Sequence, residues 1–225
     1  MTSSVPPVIL VTIGILYSVL VLATLFMISL RAFKPDKDFS EVSKRIWSWW
    51  AIVTVFSLAV VMERTVSIVF LGFVSFLAFK EFISMVPTRK ADRRILVWGY
   101  LAIPLQFIWV HEYWYGMFII FIPVWVFLFL PFRVLLTGMT DGFLNSVGTL
   151  HWGLMITVFS ISHAAYLLSL PAFDNPQAGS AGLLLFLVIL TQFNDVAQYI
   201  WGKSIGGRKI VPSVSPGKTW AGFVG

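Results

Sequence analysis

Seven apolar stretches, each of helix length, follow one another along this chain, at about residues 6–30, 46–62, 65–79, 95–110, 115–130, 150–170 and 181–201. No other feature restricts the possible folds so strongly. The chain is 58% hydrophobic and 12% charged, with a mean hydropathy of +0.88. A soluble domain carries about twice that share of charge, so too little polar surface remains here to cover a globule. In lipid every backbone N–H and C=O must be satisfied inside the protein, and runs of this length do that as helices. The expected fold class is all-α: a polytopic integral membrane protein with about seven transmembrane helices. The first run is too long for the core of a signal peptide and reads as a retained span.

Basic residues set the expected orientation. With the amino terminus outside, every lysine and arginine except Arg64 falls in an inside loop or at an inside helix end. Positive charge concentrates on the cytoplasmic side of membrane proteins. That side holds Lys203, Arg208, Lys209 and Lys218, where nucleotides are. Glu63-Arg64 and His111-Glu112 are expected to form tight hairpin turns. Tryptophans and tyrosines at 47–50, 109–115 and 199–201 mark interfacial belts. Residues 132–149 read as a long inside loop, with a short amphipathic helix lying along the interface. The net charge of +6 fits basic loops facing anionic lipid better than nucleic acid. Cysteine is absent, which excludes disulfides and thiolate metal sites.

Polarity gathers near the end of the chain. Thr191, Asn194, Asp195 and Gln198 are spaced by three and four, so they share one helix face. A carboxylate at the end of a membrane helix faces protein or water and needs a cationic partner. It is either a ligand for a hard cation such as Mg²⁺, or an interfacial acid paired with Lys203 or another cation. After it come Lys203, Arg208, Lys209 and Lys218, which can neutralise phosphates. Gly206, Gly207 and Gly217 allow backbone N–H groups to approach an anion closely. Ser215 and Thr219 place hydroxyls beside Lys218. Gly217-Lys218-Thr219 is not a Walker A loop, which requires glycine where Pro212 stands. The competing reading is a basic juxtamembrane loop that touches anionic lipid.

The order Asp195, Tyr199, Gly202-Lys203, a basic loop, and Ser215-Pro216-Gly217-Lys218-Thr219-Trp220-Ala221-Gly222-Phe223-Val224-Gly225 resembles the CDP-diacylglycerol synthases, also called phosphatidate cytidylyltransferases. Their pattern is Ser-Pro-x-Lys-Thr-x-x-Gly-x-x-Gly-Gly, downstream of an Asp that ends a late transmembrane helix. Lys80-Glu81-Phe82 is similar to a basic-Glu-aromatic patch of the same family. Val196 and Gln198 depart from the small residues usual just after that Asp, Asn194 precedes it, and Gln198 is placed to adjust the surroundings of a metal. The family's later Lys-Arg…Lys-Asp, His-Gly-Gly and Asp-Arg-x-Asp segments are not in this sequence. The expectation is therefore an amino-terminal part of a longer protein, whose further acidic metal ligands lie beyond Gly225. Two regions follow: 1–180, a bundle of six spans, and 181–225, the start of the catalytic region.

The resemblance implies an enzyme that transfers CMP from CTP to phosphatidic acid, giving CDP-diacylglycerol and pyrophosphate. Asp195 and Lys218 are the implied catalytic residues. Asp195 holds Mg²⁺, and Lys203, Ser215, Thr219, Arg208 and Lys209 are the implied substrate-binding residues, with Ser215 and Thr219 fixing either the loop or a phosphate oxygen. The expected partners are CTP, phosphatidic acid and the bilayer, with a homodimer allowed and nucleic acid excluded. The expected location is the bacterial inner membrane, with the site facing the cytoplasm. The alternatives are a transporter or lipid-binding protein, or an inactive fragment of the synthase. His151 and His163 lie twelve apart, not at the four-residue spacing of a helical metal pair. His111 reads as interfacial, Asp141 as a turn residue, and Glu81 as a salt-bridge partner near Lys80 and Arg89.

Overall fold

The computed structural model describes residues 5–34, 39–86, 93–136, 138, 142–171 and 177–225. Among these there is no β-strand, and helices account for nearly all regular structure. They are α1 (Pro7–Phe33), α2 (Ser40–Val61), α3 (Arg64–Met85), α4 (Arg93–His111), α5 (Tyr115–Leu135), α6 (Phe143–Ser169), α7 (Gly179–Ser204) and the short α8 (Trp220–Val224). Six of them are long and apolar enough to cross a membrane. The seventh, α4, has a shorter apolar stretch, Ile95–His111, behind Arg93 and Arg94. The protein is an all-α polytopic membrane protein, as expected.

The chain divides into two compact units, Met1–Leu183 and Leu184–Gly225. In the first, α3 is central and packs on α2, α4 and α6, while α1 packs on α2. Lipid offers helices little hydrophobic reason to associate, so close fit matters most. Glycines supply that fit. Gly153 seats the Phe82 and Phe79 rings, Gly99 meets Phe79 and Leu150, and Gly72 meets Phe107. A Cβ added to Gly153 would stand 2.5 Å from Phe82 Cε1. Phe79, Phe118, Ile122, Leu130, Leu154 and Val158 fill the interior, while the apolar outer faces stay exposed, as lipid contact requires.

Two helices widen in mid-course. Residues Phe121–Val126 of α5 and Met155–Phe159 of α6 adopt π-helical turns. Pro123 in the first has no N–H to donate. Five residues earlier, the Phe118 carbonyl accepts a 3.1 Å bond from buried Gln106 Nε2, which also reaches Ser162 Oγ at 3.1 Å. In the second, the Thr157 carbonyl accepts from the buried Ser75 hydroxyl at 2.7 Å. Neighbouring polar side chains thus serve carbonyls at the widened turns, as a membrane interior demands.

Arg64, the single basic residue assigned to the outside, has a structural task. Its guanidinium donates to the carbonyls of Val110 (2.8 Å), His111 (3.3 Å) and Leu168 (3.2 Å) and to Ser169 Oγ (2.7 Å). It also lies 3.9 Å from the Tyr113 ring centroid. One cation therefore caps the carboxyl ends of both α4 and α6, where it complements their dipoles. This places the α2–α3 turn, the α4–α5 turn and the end of α6 together.

Residues 132–149 do not form the expected long loop. Helix α5 continues to Leu135 and α6 begins at Phe143. Apolar Val134 and Leu150 are buried in the bundle and carry the helices inward. The reversal uses Gly138 (φ 71°) and Gly142 (φ 62°), left-handed conformations that glycine adopts at little cost. Asp141 lies outside the described residues, as do Arg89 and Lys90.

Candidate functional site at the end of the last long helix

The site lies wholly within the second unit. Helix α7 runs to Ser204, beyond the expected end at Trp201, so Gly202 and Lys203 belong to its last turn and not to the loop. Lysine there complements the negative end of the helix dipole. The chain leaves through Gly206 (φ 68°) and Gly207 (φ 98°), with Ile205 N–H donating to the Trp201 carbonyl at 3.0 Å. A left-handed glycine just past the last turn is the commonest helix stop.

The loop then folds back on itself. Ile210 N–H donates to the Lys218 carbonyl (3.2 Å), and Trp220 N–H donates to the Arg208 carbonyl (3.1 Å). These bonds frame one isolated antiparallel bridge between Lys209 and Thr219. Between the two arms, Val214 and Ser215 N–H both reach the Val211 carbonyl, and Lys218 N–H reaches the Ser215 carbonyl at 3.3 Å. Ser215 therefore shapes the turn through its main chain.

The returning arm delivers α8 onto α7 through two glycines. A Cβ on Gly222 would lie 2.5 Å from the Gln198 carbonyl oxygen and 3.1 Å from Gly202 Cα. Only a hydrogen at that position permits so close an approach of the two backbones. Gly225 seats on the Trp201 ring in the same way. Thr219 caps α8: its Oγ1 accepts from Gly222 N–H at 3.2 Å, and the residue is 5% exposed.

This fold-back sets the Lys218 ammonium over the polar face of α7. Lys218 Nζ donates to Gln198 Oε1 at 3.1 Å and stands 3.6 Å from Asp195 Oδ1. Of the partners considered from the sequence, Lys203 or another cation, the one seen beside Asp195 is Lys218, which follows it by more than twenty residues. Lys203 Nζ lies 5.7 Å from the Tyr199 ring centroid. The Lys218 and Asp195 side chains are 53% and 70% exposed. So open an ion pair adds only about 0–1 kcal/mol to stability.

The structure thus joins three of the residues singled out in the sequence: Asp195, Gln198 and Lys218. Arg208 and Lys209 are tied to the same loop by their backbones. Of the two roles open to Thr219, fixing the loop or a phosphate oxygen, its buried hydroxyl performs the first, as the cap of α8. The close packing of Gly202 on Gly222 was not anticipated, although both glycines stood within the motif. His163 Nδ1 lies 2.7 Å from the Phe159 carbonyl and the ring packs on Phe118 and Phe159, as a structural histidine would.

Asp195 is the single acidic residue between Leu184 and Gly225. No group of three or more His, Cys, Asp or Glu side chains gathers among the described residues. One open carboxylate fits Mg²⁺ in its usual manner, in which one or two carboxylates bind and substrate phosphates and waters complete the shell.

The candidate site is thus a carboxylate and a closed basic loop at the end of an apolar helix. The chain belongs to the cytidylyltransferase family, whose sequence profile matches residues 43–225. It is 42% identical over 214 residues to YnbB, an uncharacterised protein of Escherichia coli (strain K12), covering 95% of this chain and 70% of that one. It is 37% identical over 68 residues to a phosphatidate cytidylyltransferase of Brucella suis biovar 1 (strain 1330), covering 30% of this chain and 24% of that protein. A phosphatidate cytidylyltransferase of Haemophilus influenzae (strain ATCC 51907 / DSM 11121 / KW20 / Rd) is 46% identical over 43 residues, 19% of this chain and 15% of its own. No solved structure matches.

Proposed function

We propose that the protein transfers the cytidylyl group of CTP to phosphatidic acid, forming CDP-diacylglycerol and releasing pyrophosphate. The observation that carries this reading is the Lys218 ammonium held 3.6 Å from Asp195 at the end of an apolar helix. A cation for phosphate and a carboxylate for metal lie side by side there. The names of the Brucella and Haemophilus relatives support the lipid acceptor.

In the reaction, a phosphate oxygen of phosphatidate attacks the α-phosphorus of CTP. The bond from that phosphorus to the bridging oxygen of the β-phosphate breaks, and pyrophosphate leaves in line. Lys218 draws the triphosphate towards the end of α7 and offsets its charge. Lys203, Arg208 and Lys209 raise the local positive potential for both anions. Asp195 would hold Mg²⁺, which when bound supplies charge neutralisation for the triphosphate and the leaving group. Little covalent chemistry is asked of the protein, so positioning and electrostatics carry the rate. The acceptor headgroup lies at the membrane surface, and CTP arrives from the cytoplasm on the bacterial inner membrane.

Kinetics of two variants test the assignment. Asp195→Asn should lower turnover at least ~100-fold, as loss of one charged group in a preorganised site does. Lys218→Ala should also raise KM for CTP. Unchanged turnover and Mg²⁺ dependence in Asp195→Asn would remove the metal assignment.

A further inference from the structure

Resting on the reading above, we propose that Lys218 is an internal stand-in for the metal ion, and that Gln198 is the positioning residue that parks it there. The ammonium occupies the space in front of Asp195 Oδ1 at 3.6 Å and is fastened by Gln198 Oε1 at 3.1 Å. A divalent cation held by the same carboxylate would need the space that the ammonium now fills. A dication there and an ammonium in its present place repel each other at contact range. The ammonium would therefore compete with a metal for Asp195 until a polyphosphate arrives. Lys218 would then move from Gln198 and Asp195 onto phosphate oxygens and leave the carboxylate free to hold the metal. No bond is made or broken in this exchange, which is a substitution of ionic partners. The high exposure of both side chains keeps the resting pair weak enough to be displaced. Gln198 is neutral, so it holds the lysine without binding it as tightly as a second carboxylate would.

The exchange predicts a sign inversion that can be read without turnover. Mn²⁺ is the probe, and its binding to the intact protein in detergent is followed by electron paramagnetic resonance. Without nucleotide, Lys218→Met should bind Mn²⁺ roughly fivefold more tightly than the native protein, because the competing ammonium is gone. With CTP present the order should reverse, because Lys218 then holds the phosphates. Gln198→Met should tighten Mn²⁺ without nucleotide and keep the native behaviour with CTP. Lys218→Arg keeps the charge and should follow the native protein in both conditions, which separates the effect from misfolding. Equal Mn²⁺ affinity of Lys218→Met and the native protein without CTP would overturn the exchange. Native behaviour of Gln198→Met in both conditions would overturn its positioning role. Asp195→Asn distinguishes the two levels: Mn²⁺ affinity unchanged without nucleotide in that variant would mean that the metal assignment itself has failed.

Discussion

Thr219 follows the cation of the site directly, yet its hydroxyl points inward to Gly222 N–H. An N-cap and a phosphate ligand call for the same residue type, so the sequence alone could not separate them. Replacing such a cap with alanine costs about 1 kcal/mol. Thr219→Ala should therefore speed amide hydrogen exchange across α8 roughly fivefold, while Thr219→Ser should restore protection. Unchanged exchange in the alanine variant would contradict the cap. Asp195, Gln198 and Lys218 were easier to read. Helical spacing puts the first two on one face, and a carboxylate at a membrane helix end needs a cation. The sequence did not reveal which cation, because Lys218 reaches that face only through the backbone pairing of Arg208 with Trp220 and of Ile210 with Lys218.

The elements that set this geometry are α7, its glycine stop and α8. The crossing of Gly202 on Gly222 is their joint. An alanine at 222 forces a methyl to 2.5 Å from the Gln198 carbonyl, and such overpacking costs about 1–3 kcal/mol. Gly222→Ala should make the 205–225 segment more open to proteolysis and should weaken CTP binding by displacing Lys218. Gly148→Ala is the matched control: it has no atom within 4 Å of its added Cβ and should leave both unchanged. Native protease resistance in Gly222→Ala would count against the joint. At this scale the apolar runs gave α1 to α7 plainly. Their ends were less legible, as at 132–149, where glycines suggested a loop. Two of them instead make a short reversal between helices that the buried core extends.

For the whole molecule, charge is distributed unevenly between the two sets of helix ends. Arg64, the lone cation assigned to the outside, is engaged by main-chain carbonyls of α4 and α6 and by Ser169 Oγ, a structural use that accounts for its departure from the expected positive-inside pattern. The chain has no cysteine, so single cysteines report topology cleanly. In intact spheroplasts a membrane-impermeant maleimide should label Glu63→Cys at once. It should label Lys209→Cys only after permeabilisation. Labelling of both from outside would invert or break the proposed orientation.

The central claim is transfer of a cytidylyl group to a lipid phosphate. The direct measurement supplies the protein made from its complete gene with CTP carrying radioactive phosphorus at the α position, Mg²⁺ and phosphatidate–detergent micelles. Label should pass into the chloroform-soluble CDP-diacylglycerol fraction, and Asp195→Asn should abolish that transfer. Label confined to the aqueous phase, with the protein folded and CTP bound, would contradict the account.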